Sequence, residues 1–384
     1  MNDSRTRSGP LSGIKVVELA GIGPGPYAGQ LLADFGADVV VVDRPGNAMP
    51  KAIDGRGKRS IVLDLKKPDA VDALLKLVEK ADILIEGLRP GVTERMGVGP
   101  EACHAINPGL IYGRMTGWGQ NGPWSRMAGH DINYIGMTGV LNAMGKDGQP
   151  PMPPLNMVGD FGGGSMFLVT GILAALIERG RTGKGNIVDA AIVDGTHSLM
   201  SFVHGMAGLG QWHIQREANL LDGAAPFYRC YLTADGKFVA VGCIEPQFFA
   251  AMMERLPIDT EVYGGQHDRT AFAKQHEMLE DVFATKTRDE WESIFSGTDA
   301  CVTPVLDYVE AALHPTNAER QAVVRDGRWC HPQIAPRLAT QPLAVGFEIA
   351  TKGGNYAAIL AEAGLGDTEI SQLIAAGAVV ANKD

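Results

Sequence analysis

Residues 14–43 read IKVVELAGIGPGPYAGQLLADFGADVVVVD, and this stretch decides the fold class. Residues 14–19 are a short apolar run of the length of a buried strand. Gly21-Ile22-Gly23-Pro24-Gly25-Pro26 is a turn, because both residue types break regular structure. Residues 27–35 carry a helical pattern that Gly36 ends as a C-cap. Residues 39–42 are four valines, a second strand closed by Asp43-Arg44-Pro45. Strand, turn, helix and strand make a βαβ unit, so the expected fold class is α/β with a parallel sheet. Asp43 lies about twenty residues beyond the glycines, where a dinucleotide enzyme keeps its ribose-binding acid. Yet Pro26 replaces the third glycine of that fingerprint, and Pro24 has no amide to offer a pyrophosphate. The turn therefore argues against a nicotinamide cofactor.

Further strands follow at residues 61–66, 83–85 and 110–112, with an amphipathic helix at 69–80 that places Val71, Leu74, Leu75 and Val78 on one face. In an open parallel sheet, ligands bind beyond the carboxyl ends of the strands. Arg44, Lys66, Arg89 and Met115 all fall at such ends, so one elongated, phosphate-bearing ligand can reach all four. The basic cluster Arg56-Gly57-Lys58-Arg59 reads either as a solvated loop or as an anion site, since Arg and Lys pair well with phosphate.

Residues 129–167 hold the candidate chemistry. Gly129-His130-Asp131-Ile132-Asn133-Tyr134 supplies a histidine, the side chain whose unperturbed pKa lies nearest neutrality. Asp160 precedes Gly162-Gly163-Gly164 and an apolar run at 166–177, which fits an N-cap. Glycines there let a ligand approach backbone amides at the positive end of a helix. A base, an acid and an oxyanion donor are the parts needed to move a proton beside a carbonyl. Each part also has a structural reading: His130 as a hydrogen-bonded core residue, Asp160 as a plain cap, the glycines as a tight packing turn.

A strand is expected at 185–191 and a long apolar helix at 193–212. A hairpin follows at 226–232 and 237–242 around Ala234-Asp235-Gly236, then a helix opened by Glu245 and Pro246. Helical patterns fill 277–295, a strand returns at 300–305, and a last helix lies at 368–376. The expected division is a large domain of residues 1–190 with 330–384, linker helices at 191–224, and a small α+β domain at 225–329.

A composition of 45% apolar and 20% charged residues is that of a globular protein, and a formal charge of −10 argues against general nucleic-acid binding. The five scattered cysteines lack a Cys-x-x-Cys pair and read as buried thiols of a reducing compartment, the cytoplasm. Residues 1–9 have no apolar signal core, Ala381-Asn382-Lys383-Asp384 is no peroxisomal address, and no uninterrupted apolar run is long enough to span a membrane. Neither nucleic acid nor membrane is an expected partner.

These residues together resemble the class III CoA-transferase family nearly end to end. The resemblance rests on Val17-Glu18-Leu19-Ala20-Gly21 with Gly23-Pro24-Gly25-Pro26, on the run at 31–39, and on Arg114-Met115-Thr116-Gly117-Trp118-Gly119. It rests equally on the His130 motif, on Gly159-Asp160-Phe161-Gly162-Gly163-Gly164, and on Ile244-Glu245-Pro246-Gln247-Phe248. It implies a Rossmann-like large domain that binds CoA, a smaller α+β domain, and an interlocked homodimer. It implies His130 and Asp160 as the acid–base pair, Glu245 of a second copy as the carboxylate that orients His130, and Asn156 as an active-site amide. Arg44, Lys66, Arg89 and Arg95 match positions near the CoA phosphates and adenosine. Leu63, Asp64, Leu65, Gly87, Leu88, Met115, Gly129, Asp131 and Tyr134 complete the implied CoA-binding set. The resemblance is to the family's racemases more than to its transferases. Transferases keep an aspartate nucleophile at the Asp160 position but typically lack the His130 motif. The implied activity is cofactor-independent racemisation of 2-methylacyl-CoA thioesters, CoA being part of the substrate and no metal being required. Ala224 and Arg229 stand where many racemases carry glycine and an acid, which bears on the acyl group. Met206, Met252 and Met253 read either as an acyl-channel lining or as core.

Overall fold

The computed structural model of the chain describes residues 9–46, 53–327, 329–341 and 348–381. The segment 1–8 and Asn382, Lys383 and Asp384, read above for targeting signals, lie outside them. The chain forms two units: residues 1–138, 154–199 and 318–384, and residues 139–153 with 200–317. This division differs from the expected one in three places. An insertion at 139–153 joins the second unit, the segment 191–224 is split after 199, and the chain re-enters the first unit at 318 instead of 330.

The first unit is built on six parallel strands: β1 (Lys15–Leu19), β2 (Asp38–Asp43), β3 (Arg59–Val62), β4 (Ile83–Glu86), β5 (Ile111–Thr116) and β6 (Asn186–Ala191). Their spatial order is β3-β2-β1-β4-β5-β6, so the sheet reverses direction of growth between β1 and β4. Alternation along each strand feeds both faces. Val16, Val39, Ile83 and Ile111 pack with α1 (Pro24–Asp34) and the helix Met166–Thr182. Val17, Val40, Leu84 and Tyr112 pack with α2 (Pro68–Glu79) and the helices Tyr356–Glu362 and Asp367–Ala375. Burial on both faces is why β2 and β4 read as unbroken apolar runs, whereas the edge strand β6 is partly exposed. On α2 the buried face is Ala70, Ala73, Leu74, Leu77 and Val78, rotated from the expected stripe. The carboxyl-terminal segment closes the unit: Leu63 bridges Val379, and the Asp64 amide donates to Ala378 O at 2.9 Å.

The Gly/Pro turn starts α1 earlier than expected, since Pro24 stands at a first helical position, where a missing N–H costs nothing. The basic cluster has neither of its expected roles. Arg56 is buried and pairs with Asp34 at 2.5 Å, and Lys58 is buried against Glu18 at 2.7 Å and Pro26 O at 2.7 Å. Arg59 binds Asp38 and Glu362. A buried cation needs such a partner, so these side chains neutralise internal acids instead of meeting phosphate.

The second unit contains an antiparallel sheet of β7 (Tyr228–Leu232), β8 (Phe238–Gly242) and β9 (Val302–Val305). Gly236, at φ 75°, makes the hairpin turn. Trp291 is fully buried, its indole N–H donating to Phe283 O at 2.8 Å. Met252 and Met253 are buried in this core, which settles them as packing residues, and Met206 is half-buried. Three of the five cysteines, Cys230, Cys301 and Cys330, are exposed, contrary to the expectation of buried thiols. The apolar stretch expected as one helix is two, Ile192–Leu199 and Ser201–Gly208.

Candidate active site

Asp160 is not the N-cap of a helix. It lies inside a π-helical turn, Met157–Ser165, that runs directly into the helix Met166–Thr182. Such wide turns concentrate at functional sites. Joined, the two segments are long and apolar enough to cross a bilayer by length and composition. Core helices pass the same test, and Leu168, Val169, Ile172 and Ala175 are buried against the sheet. The glycines of the turn are fixed by close approach. A Cβ on Gly163 would lie 2.4 Å from Thr196 Oγ1, and one on Gly164 3.2 Å from Pro24 Cβ. The Ser165 hydroxyl bonds to Pro24 O at 2.8 Å and to Asp160 O at 3.1 Å, joining the turn to the start of α1.

His130 is exposed and precedes the helix Asp131–Met137 as its N-cap, its amide donating to Asn133 Oδ1 at 3.0 Å. Tyr134 braces this loop. Its hydroxyl donates to Gly129 O at 2.5 Å, and its ring meets Trp118 edge-on at 4.8 Å. Gly117 is needed there, because a Cβ would stand 2.0 Å from that ring. Arg114 ties the ends of β4 and β5 by bonding Glu86 at 2.9 Å and Glu94 at 2.8 Å.

These pieces surround one cleft of about 520 Å³ at the carboxyl ends of the strands, where the sheet order reverses. Ile22 and Gly23 come from the loop after β1 and Pro24 from the start of α1, residues 87–90 from the loop after β4, and residues 115–118 from the end of β5 and the loop after it. Ser125, Met127, Ala128, Gly129, His130, Tyr134, Asn156, Asp160 and Ile192 complete the wall. Burial raises the Asp160 pKa above the usual carboxylate range; the Asn156 side chain opposes this, the Asp131 charge adds to it, and His130 lowers it. Asn156 Nδ2 donates to Asp160 Oδ2 at 3.4 Å. Such a cleft suits a carboxyl group that holds a proton until a base lining the same cleft has taken one.

Residues 11–346 match the family model described as CoA-transferase family III. The chain belongs to CoA-transferase family III. It is similar to the α-methylacyl-CoA racemase of Mus musculus, 45% identical over 94% of this chain and 96% of that one. It is similar also to the α-methylacyl-CoA racemase of Homo sapiens, 44% identical over 97% and 98%. Among solved structures, a CAIB/BAIF family protein from Brucella suis superposes with a TM-score of 0.81 at 27% identity, covering 92% of this chain and 99% of that one.

Of the residues expected in the family III site, Gly87, Leu88, Arg89, Met115, Gly129, His130, Tyr134, Asn156 and Asp160 meet on this cleft. Arg44, Asp64, Leu65, Lys66 and Arg95 are outside its wall; Arg44, Lys66 and Arg95 are exposed, and Arg44 and Lys66 follow β2 and β3. Leu63 is fully buried under the carboxyl-terminal segment and presents no side chain to a ligand. Asp131 is buried too: its Oδ1 accepts from the Asp160 amide at 2.6 Å, so its side chain faces the π-turn and not the CoA path. Glu245 belongs to the second unit, where it is the exposed N-cap of the helix Pro246–Met253. Sequence reasoning missed Ile22, Gly23, Trp118 and Ile192 as wall residues. Their signal was position, since each follows or ends a strand that reaches the carboxyl edge.

Proposed function

We propose that this chain is a racemase that interconverts the (R) and (S) forms of 2-methylacyl-CoA thioesters without a cofactor. The observation that carries the reading is that His130 and Asp160 line one cleft, with Asp160 raised in pKa by burial. The α-hydrogen of a thioester is weakly acidic, so its removal needs a base and a donor for the enolate oxygen. His130 removes the proton from one face and protonated Asp160 returns one to the other; the reverse reaction exchanges the roles. Of the amides at the Asp160 turn, expected above as oxyanion donors, that of Asp160 is committed to Asp131. The amides of Asp131 and Ile132, the first two of a helix, have no acceptor within it and follow His130 directly, which suits them to that task. Arg89 offers a cation to the CoA portion.

A homodimer, in which Glu245 of a second copy orients His130, is part of this reading, as is a cytoplasmic setting for five unpaired cysteines. Support for the acyl-CoA substrate comes from the two racemases, similar over nearly their full lengths. The test is α-proton exchange in deuterated water with each enantiomer of a 2-methylacyl-CoA panel. Wild type is expected to exchange both. If His130→Ala exchanged both at the wild-type rate, the two-base scheme would be wrong. The family also contains CoA-transferases; trapping of an Asp160 acyl group by hydroxylamine would mark that chemistry instead.

A further inference from the structure

Asp131 is the first residue of the helix that follows His130, and its side chain faces the π-turn that carries Asp160. It is 7% exposed. Its Oδ1 accepts from the Asp160 amide at 2.6 Å, and its carboxyl group also takes the Gly159 amide. Gly159 is glycine for this reason, since a Cβ there would lie 2.3 Å from that same oxygen. Among the described residues, Asp131 Oδ2 is buried with no hydrogen-bond partner. A buried carboxylate usually has a cation or a full set of donors. Here, among the described residues, peptide N–H groups are its only donors, and Oδ2 is left over.

We infer that Asp131 is the positioning residue for Asp160: its carboxylate takes the two amides that hold the catalytic aspartate in its π-turn and fixes one negative charge behind the Asp160 side chain. The inference rests on the racemase reading above. The charge acts on Asp160 in the direction a proton donor needs, because two neighbouring carboxylates do not both ionise readily. Burial remains the larger cause, and Asp131 adds to it. The titratable groups on the elements packed around Asp131 are His130 and Tyr134 on its own side, Asp160 on the π-turn, and Asp194 and His197 on the helix Ile192–Leu199. The active state has one proton shared between His130 and Asp160, so the pH–rate profile belongs to the pair. On the acid limb a second proton lands on Asp160 and stops the reaction from the side that needs its carboxylate.

Asp131→Asn keeps an acceptor for the two amides and removes the charge. The experiment measures exchange in deuterated water over pH for wild type and for Asp131→Asn, with both enantiomers, alongside thermal melting. The expected result is a folded protein whose KM for acyl-CoA is unchanged, whose kcat at neutral pH falls several-fold, and whose acid limb moves to lower pH. Asp131→Ala, which strands both amides, is expected to lose far more of kcat and to melt earlier. An unmoved acid limb in Asp131→Asn overturns the role given to Asp131, whether or not kcat falls. No exchange by the wild type with either enantiomer overturns the racemase reading, and this inference with it. Exchange by the wild type with an unmoved limb overturns the inference alone.

Discussion

Replacing Gly23 by alanine is expected to displace the Asp160 carboxylate, the acid of the proposed mechanism, without touching Arg89. A Cβ at Gly23 would stand 2.9 Å from Asp160 Oδ2, whereas ordinary contact begins at 3.4 Å, so the carboxylate has to retreat by 0.5 Å. A misplacement of about 1 Å costs roughly a hundredfold in rate. Half of that corresponds to about tenfold, or ~1.4 kcal/mol on the barrier. Gly23 also adopts φ 69° and ψ −118°, a region that side chains avoid, which costs ~1–3 kcal/mol of stability and leaves a folded protein. The displaced oxygen is the one Asn156 bonds, so both enantiomers are affected. Exchange in deuterated water should therefore show kcat about tenfold lower for each, with KM changed little. Gly25→Ala is the control, because a Cβ there meets nothing within 4 Å. Wild-type kcat in Gly23→Ala, or a loss confined to KM, would show that Asp160 is not the group that Gly23 makes room for.

Arg89→Ala should raise KM for acyl-CoA by about ten- to a hundredfold and leave kcat nearly intact, as expected when a charge-assisted bond to a distant part of the substrate is lost. Steady-state kinetics with a short-chain thioester checks this, and an unchanged KM would remove Arg89 from the CoA path. Tyr134→Phe leaves Gly129 O without its donor and should lower stability by ~1–3 kcal/mol in denaturant titration. In the second unit, Arg288 and then Lys237 hold the Glu310 carboxyl down to about 2, from an ordinary value of 4.5. A depressed carboxyl contributes stability that is present above pH 4.5 and is lost as pH falls towards about 2. Thermal melts across that window should fall more steeply for wild type than for Glu310→Gln, and parallel curves would contradict the assignment.

The parallel sheet was legible from local patterns. Four valines at 39–42, the Gly/Pro turn at 21–26 and the strand ends near Arg44 and Arg89 follow from periodicity and turn chemistry within short windows, whereas the strand read as 61–66 runs from Arg59 and stops at Val62. The pairing of His130 with Asp160 was legible from the motifs, and the structure sets both on one cleft. The π-turn was not legible. Asp before glycines and an apolar run fits a cap by every local rule, and the wider turn is decided by Thr196 and Pro24 packing against Gly163 and Gly164. The cluster at 56–59 looked like an anion site because sequence shows a cation but not its partner; Asp34, Glu18, Asp38 and Glu362 are brought to it only by the fold.

The sequence by itself determined the strand order's raw material, the cleft's edge and the two side chains proposed as the acid–base pair, since these depend on residue type and spacing along the chain. Tertiary structure alone decided that Asp131 turns away from ligand to hold the Asp160 amide, that Gly23 is the residue facing that carboxylate, and that residues 139–153 belong with the second unit. The physical reason is that hydrogen-bond partners and close approaches are set by which distant segments meet, and a buried group's charge state depends on the whole of its surroundings.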